Sequence, residues 1–198
     1  MEREKHRIIT ISREFGSGGR TIGKDVAEAL GIPCYDSELI EKIAEESGLA
    51  KEFIAEKGEY SATGNWFLNA LSYSGGMGGM SMQDYLWNVQ KKVIEDLADR
   101  GPCVIVGRCA DFILAGKHDL LKVFIHADLK KRAERIVHVY GDREESPEKR
   151  LVSKDKRRKS YYKFYTDIDW GVAEHYDICL DSGSLGIDKC VEIIKSLY

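Results

Sequence analysis

Apolar and polar positions follow two rhythms along this chain, and the boundaries between them predict its elements. Arg7-Ile-Ile-Thr-Ile-Ser12 is a short β-rich run that ends at the glycine loop Gly16-Ser-Gly-Gly19, after which Ile22, Val26 and Leu30 recur every four residues. This reads as a strand, a glycine loop and a helix. Gly31-Ile-Pro33 stops the helix, and Cys34-Tyr35 forms a brief second strand. Asp36-Ser37 then caps a helix holding Leu39, Ile40 and Ile43. From Gly48 to Gln83 the periodicity weakens, and Ser74-Gly-Gly-Met-Gly-Gly-Met80 resists regular structure, so residues 48–83 are expected to form a mobile insertion.

Regular patterning resumes with Leu86, Val89, Val93, Ile94 and Leu97 on one helical stripe, feeding the apolar strand Cys103-Val-Ile-Val-Gly107. Leu120-Leu-Lys-Val-Phe-Ile125 is a further strand, followed by a helix carrying Leu129, Ala133, Ile136, Val137 and Tyr140. Ser146-Pro147 opens a helix that is strongly basic through Lys159. Tyr176-Asp-Ile-Cys-Leu180 and a helix with Ile187, Cys190, Val191, Ile194 and Leu197 close the chain. Five strands alternating with helices predict an α/β fold, a mostly parallel sheet covered on both faces.

Composition narrows the class. With 198 residues and 43% hydrophobic content, one domain spanning 1–198 is expected. A net charge of −3 argues against nucleic acid as the main partner, since backbone phosphates demand a basic surface. No apolar stretch nears the roughly 18 to 20 residues of a membrane span, and the polar start is not a secretory signal, so a cytoplasmic protein is expected. The five cysteines, odd in number and without CxxC spacing, read as free thiols.

A strand, a glycine turn and a helix N-terminus make an anion site, because the first helical N–H groups lack intrahelical partners. Gly16, Ser17, Gly18, Gly19, Arg20 and Thr21 would cradle phosphate here, with the Thr21 hydroxyl available to phosphate or magnesium. The common loop GxxxxGK[ST] is not kept: aligned on Gly18, its first glycine is Arg13 and its lysine is Gly19. On motif rules alone a plain flexible turn remains the alternative. Arg20 is the natural substitute for the missing charge, since a guanidinium grips two phosphate oxygens, with Arg13 and Lys24 ranked behind it.

The stretch Ile9-Thr-Ile-Ser-Arg-Glu-Phe-Gly-Ser-Gly-Gly-Arg-Thr-Ile-Gly-Lys24 resembles the opening of the cytidylate kinase-like family, and the likeness runs from Ile8 to Leu197. The resemblance implies a three-layer P-loop NTPase fold and transfer of the ATP γ-phosphoryl group to a nucleoside monophosphate, CMP or dCMP, with ATP and magnesium as cofactors. It implies Asp36 and Lys42 on the acceptor side; without it, Asp36 and Ser37 are equally helix caps and Lys42 a solvated charge. Val104-Ile-Val-Gly-Arg-Cys-Ala-Asp111 is similar to the family's strand followed by Gly-Arg and an acid, which implies that Arg108 holds the acceptor phosphate and Asp111 its sugar. Cys109 stands where bacterial members have an aspartate.

Between Lys149 and Lys163 lie eight basic residues and one acid, Asp155. By resemblance, 141–166 is a lid whose Arg157 and Arg158, with Lys156 and Arg150 behind them, meet charge developing in transfer. By composition alone the run is a solvated helix face. Arg132 and Arg135 resemble an RxxR pair leading into the lid, from which either would reach phosphate, Arg132 being placed with the substrate-binding residues; as ordinary surface ions they would equally pair with Glu134 or Asp128. Asp181-Ser-Gly183 is implied to border the adenine. The resulting expectation is a kinase with a nucleotide donor and a small monophosphate acceptor, neither nucleic acid nor membrane as partner, and room for a homodimer. A kinase for another small acceptor, or a nucleotide-binding regulatory protein without turnover, remains alternative.

Overall fold

A computed structural model of the chain describes residues 7–40, 82–141 and 143–198. Five strands, β1 (Arg7–Arg13), β2 (Cys34–Tyr35), β3 (Cys103–Val106), β4 (Asp119–His126) and β5 (Ile178–Asp181), form one sheet in the order β2-β3-β1-β4-β5. Every pairing is parallel, with Ile9 level with Val104 on one side and Leu121 on the other. This is the parallel sheet that the alternating sequence predicts. The chain leaves β1 towards β2 and leaves β4 towards β5, so a crevice opens at the carboxyl ends of β1 and β4, where such sheets bind ligands.

Helices cover both faces because successive side chains of each strand point to opposite sides. On one face Ile9, Ile11, Val104, Val106, Val123 and Ile125 pack against Ile22 and Val26 of α1 (Gly19–Leu30) and Ile194 of α7 (Ile187–Leu197). On the other, Ile8, Cys103 and Ile105 meet Val93, Ile94 and Leu97 of α2 (Met82–Asp99) and Ile113 of the short α3 (Ala110–Ile113). A third group, Ala133 and Ile136 of α4 (Leu129–Tyr140) with Leu151 of α5 (Pro147–Thr166), packs beside the crevice around Phe15. A single turn, α6 (Ser182–Leu185), follows β5.

Local signals account for the ends. The Gly31 N–H donates back to the carbonyls of Ala27 and Glu28 in a left-handed cap, and Asp128 accepts from the Lys130 amide at 2.9 Å. Ser146 accepts from the Lys149 amide ahead of Pro147 in the first turn of α5. Helix α2 begins at Met82, within the segment expected to be an insertion; residues 48–81 lie outside the described ones. No helix among the described residues is long and apolar enough to cross a membrane.

Gly23 lets α1 approach the sheet: a Cβ there would stand 2.7 Å from Val106 Cγ2 and 3.3 Å from Ile11 Cδ1. Gly23→Val is therefore expected to destabilise the fold by about 1–3 kcal/mol. A urea midpoint equal to that of the wild type would contradict this packing.

Candidate functional site

The first βα turn is built to hold an anion. β1 ends at Arg13, and the Glu14 amide still bonds to the Ile125 carbonyl at 2.9 Å, so the loop leaves the sheet beside β4. Gly16 and Gly18 take φ of 80° and 81°, a region costly for side-chain-bearing residues. Gly18 caps α1 without any side-chain bond, and among the described residues the amides of Gly18 and Gly19 donate to no backbone acceptor outside α1. These amides, with those of Arg20 and Thr21 in the first helical turn, form the expected cradle. Ser17 contributes shape only: its hydroxyl donates to the Glu14 carbonyl at 2.9 Å, and its own carbonyl accepts from Ser182 at 2.6 Å.

The arginines are arranged differently from the sequence expectation. Arg20, expected to replace the missing lysine, donates from Nε to Asp36 at 2.7 Å and grips both Glu38 oxygens at 2.8 and 2.7 Å. These carboxylates hold its charge on the β2 side, and the Glu38 bond raises its pKa. Asp36 also accepts from the amides of Glu38 and Leu39, so it caps that helix and anchors Arg20 together. Burial would raise the pKa of Asp36, but the Leu39 amide and Arg20 outweigh it and keep it low. Arg13, ranked behind Arg20 in the sequence, is the arginine pressed against the loop. Burial foremost, then Arg158 and Arg108, pull its pKa down to about 9.

Arg108 follows β3 through three successive left-handed residues, Gly107, Arg108 and Cys109, with φ of 82°, 56° and 56°. Such backbone is costly for the two that carry a Cβ and persists only where surroundings enforce it. The Gln90 side chain supplies one restraint, donating to the Arg108 carbonyl at 3.2 Å, and Tyr161 donates to Gln90 at 3.1 Å. Burial lowers the Arg108 pKa while a bond to Tyr161 opposes the shift. Beyond lie the stacked rings of Trp87 and Tyr165, 4.2 Å apart and 5° from parallel.

Asp155, the one acid of the basic run, seats α5 against the loop. Its carboxylate accepts from the Phe15 amide at 2.8 Å and from Arg132 Nη1 at 2.6 Å. Arg132 also donates to the carbonyls of Ala127 and Phe15 and lies 3.3 Å from Glu14. At 7% exposure Arg132, expected on the substrate side, is engaged with protein acceptors that shape the loop. Arg158, one turn on, donates to the Arg13 carbonyl at 2.8 Å and sits over the Phe15 ring, whereas Arg157 is exposed. Of the two expected lid arginines, only Arg158 is brought to the loop.

Two more expected residues are turned away. Asp111 is buried and accepts from the Tyr162 hydroxyl at 2.7 Å; burial raises its pKa, the Tyr162 bond opposing. Expected on the acceptor sugar, Asp111 has its Oδ2 engaged by Tyr162 of α5. Thr21, expected at magnesium, accepts from Arg135 Nη2 at 3.1 Å, and the hydroxyl position of the common loop is taken by Arg20. Lys42 lies outside the described residues. Arg135, the other member of the RxxR pair expected near phosphate, lies 3.3 Å from where a Gly18 Cβ would stand.

A parallel α/β sheet with an anion cradle at its first βα turn and arginines converging on it defines a phosphotransferase of the P-loop kinase class. A profile of the cytidylate kinase-like family matches residues 8–184, and the chain belongs to that family. Among curated relatives, the cytidylate kinase of Methanopyrus kandleri is 25% identical over 96% of this chain and 91% of its own. That of Archaeoglobus fulgidus is 28% identical over 94% and 91%. Of solved structures, an uncharacterized protein from Eubacterium ventriosum is 29% identical with a TM-score of 0.73, each chain covered to 96%. A gluconokinase from Sinorhizobium meliloti, 18% identical with a TM-score of 0.57 over 98% of this chain and 95% of that one, shares the fold.

Asp155→Ala would remove the nearer carboxylate of the buried Arg132, leaving Glu14 at 3.3 Å, and free the Phe15 amide. The expected loss of stability is about 3–5 kcal/mol. Asp155→Asn, which keeps an acceptor for the amide, is expected to lose less, and equal urea midpoints for the two variants would contradict the latch.

Proposed function

We propose that the chain transfers the γ-phosphoryl group of ATP to CMP or dCMP. The observation that supports this acceptor side is Arg108, carried by a strained turn to the carboxyl end of β3 beside the glycine loop. A guanidinium there suits a dianionic monophosphate, and the rings of Trp87, Tyr161 and Tyr165 beyond it suit a nucleobase. Relatives named cytidylate kinase across nearly their whole length support the choice of base.

In this reading the loop amides hold the donor's phosphates, while Arg108 orients the acceptor phosphate for in-line approach. An oxygen of the monophosphate forms the new bond to the γ-phosphorus as the bond to the bridging oxygen breaks, leaving ADP and CDP. No covalent enzyme intermediate is needed, and the work of the protein is positioning and charge stabilisation. Arg158 is placed to meet charge spreading over the transferred group, and its carbonyl bond to Arg13 holds α5 over the loop.

Magnesium accompanies ATP in kinase chemistry, but the protein-side donors do not fit a resident ion. The Thr21 hydroxyl faces a guanidinium, Asp36 is ion-paired to Arg20, and no group of three acidic, histidine or cysteine side chains that could hold a metal exists among the described residues. Magnesium would arrive with the nucleotide and supply charge to its phosphates, without a protein carboxylate of its own among the described residues.

The engagement of Asp111 with Tyr162 favours a second reading, a kinase of this family for a different small acceptor, because the acid implied for the sugar is occupied. ADP production should be measured with CMP, dCMP, UMP, AMP and small polyols. The proposal expects CMP or dCMP to give kcat/KM at least about tenfold above the others, a difference of roughly 1.4 kcal/mol. Arg108→Ala should then lose about 100-fold in kcat/KM for the monophosphate. Turnover with polyols alone would overturn the nucleotide acceptor.

A further inference from the structure

We propose that Arg13 is the cation of this phosphate loop, its side chain crossing from the end of β1 to deliver to the donor's phosphates the charge that a lysine at position 19 supplies in the common loop. The proposal rests on the reading of the chain as a P-loop phosphotransferase and assigns within it the residue that the missing lysine leaves open.

Two glycines record where the side chain lies. A Cβ on Gly19 would stand 2.5 Å from Arg13 Cβ and 2.9 Å from its Cγ, so the arginine stem occupies the space in which a lysine side chain at 19 would begin. A Cβ on Gly107 would collide with Arg13 Nη1 and stand 2.9 Å from Cζ, which puts the guanidinium against the end of β3 where the chain turns to Arg108. The arginine thus spans from the first residue of α1 to the acceptor side of the crevice. Its backbone is fixed on two sides, by pairing with Ile125 of β4 and by the bond from Arg158 Nη1 to its carbonyl.

Among the described residues the charge has no hydrogen-bonded counter-ion. Among the described residues no side chain or carbonyl accepts a hydrogen bond from the Arg13 guanidinium, whereas Arg20 has two carboxylates and Arg132 has Asp155. Its charged neighbours are Arg158, Arg108 and Arg20, with Asp36 opposing them, and together with burial they pull its pKa down to about 9. A partly buried cation facing like charges costs the fold stability unless an anion joins it. Loop amides on one side and a planar fork of donors on the other make that anion a phosphate group.

The test uses wild-type protein, Arg13→Met, Arg13→Gly, and Arg13→Gly combined with Gly19→Lys, each titrated calorimetrically with ATP and with CMP separately and melted without ligand. Arg13→Met is expected to raise Tm by a few degrees, through loss of a half-buried charge crowded by other arginines, while weakening ATP about tenfold or more and leaving CMP within about twofold. The double variant should regain at least about tenfold in ATP affinity over Arg13→Gly, because the lysine returns once the arginine stem is gone. A lower Tm with ATP affinity unchanged in Arg13→Met would make the residue structural and overturn the proposal. So would a loss confined to CMP, which would move Arg13 to the acceptor. Should Arg13→Met fail to fold, recovery of ATP binding in the double variant relative to Arg13→Gly supports the proposal and its failure overturns it. ATP binding that depends on Arg13 in a wild type that phosphorylates no monophosphate would uphold this assignment while sinking the acceptor. Unchanged CDP formation and ATP affinity in Arg13→Met would do the reverse.

Discussion

One buried carboxylate, that of Asp155, decides how the charged helix and the glycine loop meet. It accepts a loop amide and an arginine at once, and both partners belong to segments far from it in sequence, at Phe15 and Arg132. An ion pair with 12% and 9% side-chain exposure survives desolvation only with further hydrogen bonds, and Arg132 has them in the carbonyls of Ala127 and Phe15. Register follows from this contact. With Asp155 seated, Arg158 falls one turn further along α5 at the Arg13 carbonyl, and the aromatic residues 161, 162 and 165 fall against α2 and α3.

Around that anchor the molecule separates its arginines by task. Arg132 shapes the loop and Arg20 ties the start of α1 to the cap of the helix after β2. Arg13, Arg108 and Arg158 are left close together, and after burial it is Arg158 and Arg108 that lower the pKa of Arg13. Charge of one sign concentrated at the mouth of a parallel sheet is a poor way to stabilise a fold and a good way to receive polyphosphate. The backbone agrees, since the left-handed Gly107-Arg108-Cys109 turn places local strain at the same spot.

The sheet was legible because its strands carry mostly apolar runs, broken only by Thr10 in β1 and Lys122 in β4, and period distinguishes these runs from the helices. The glycine loop was legible for the same reason. Arg108 stood out through its place after a strand. Roles that depend on distant partners were not legible: Arg132 is fixed by Asp155, 23 residues on, and Asp111 by Tyr162, 51 residues on. Both looked like free ligand groups because no local pattern announces a partner. Arg20 was ranked ahead of Arg13 although both carry the same guanidinium, and the direction of a side chain out of a strand end is a property of the fold. The lone acid in the basic run was the available signal for Asp155, since an isolated carboxylate among eight basic residues is well placed to be buried with one.

The contact between the Arg13 stem and Gly19 also bears on how such a loop could have arisen. A lineage holding the ordinary lysine could not acquire the arginine first, because both stems would claim one space. Nor could it drop the lysine first without passing through a form lacking either cation. The two versions are therefore separated by mutual epistasis, and once a lineage has crossed, reversion is as hindered as the original passage.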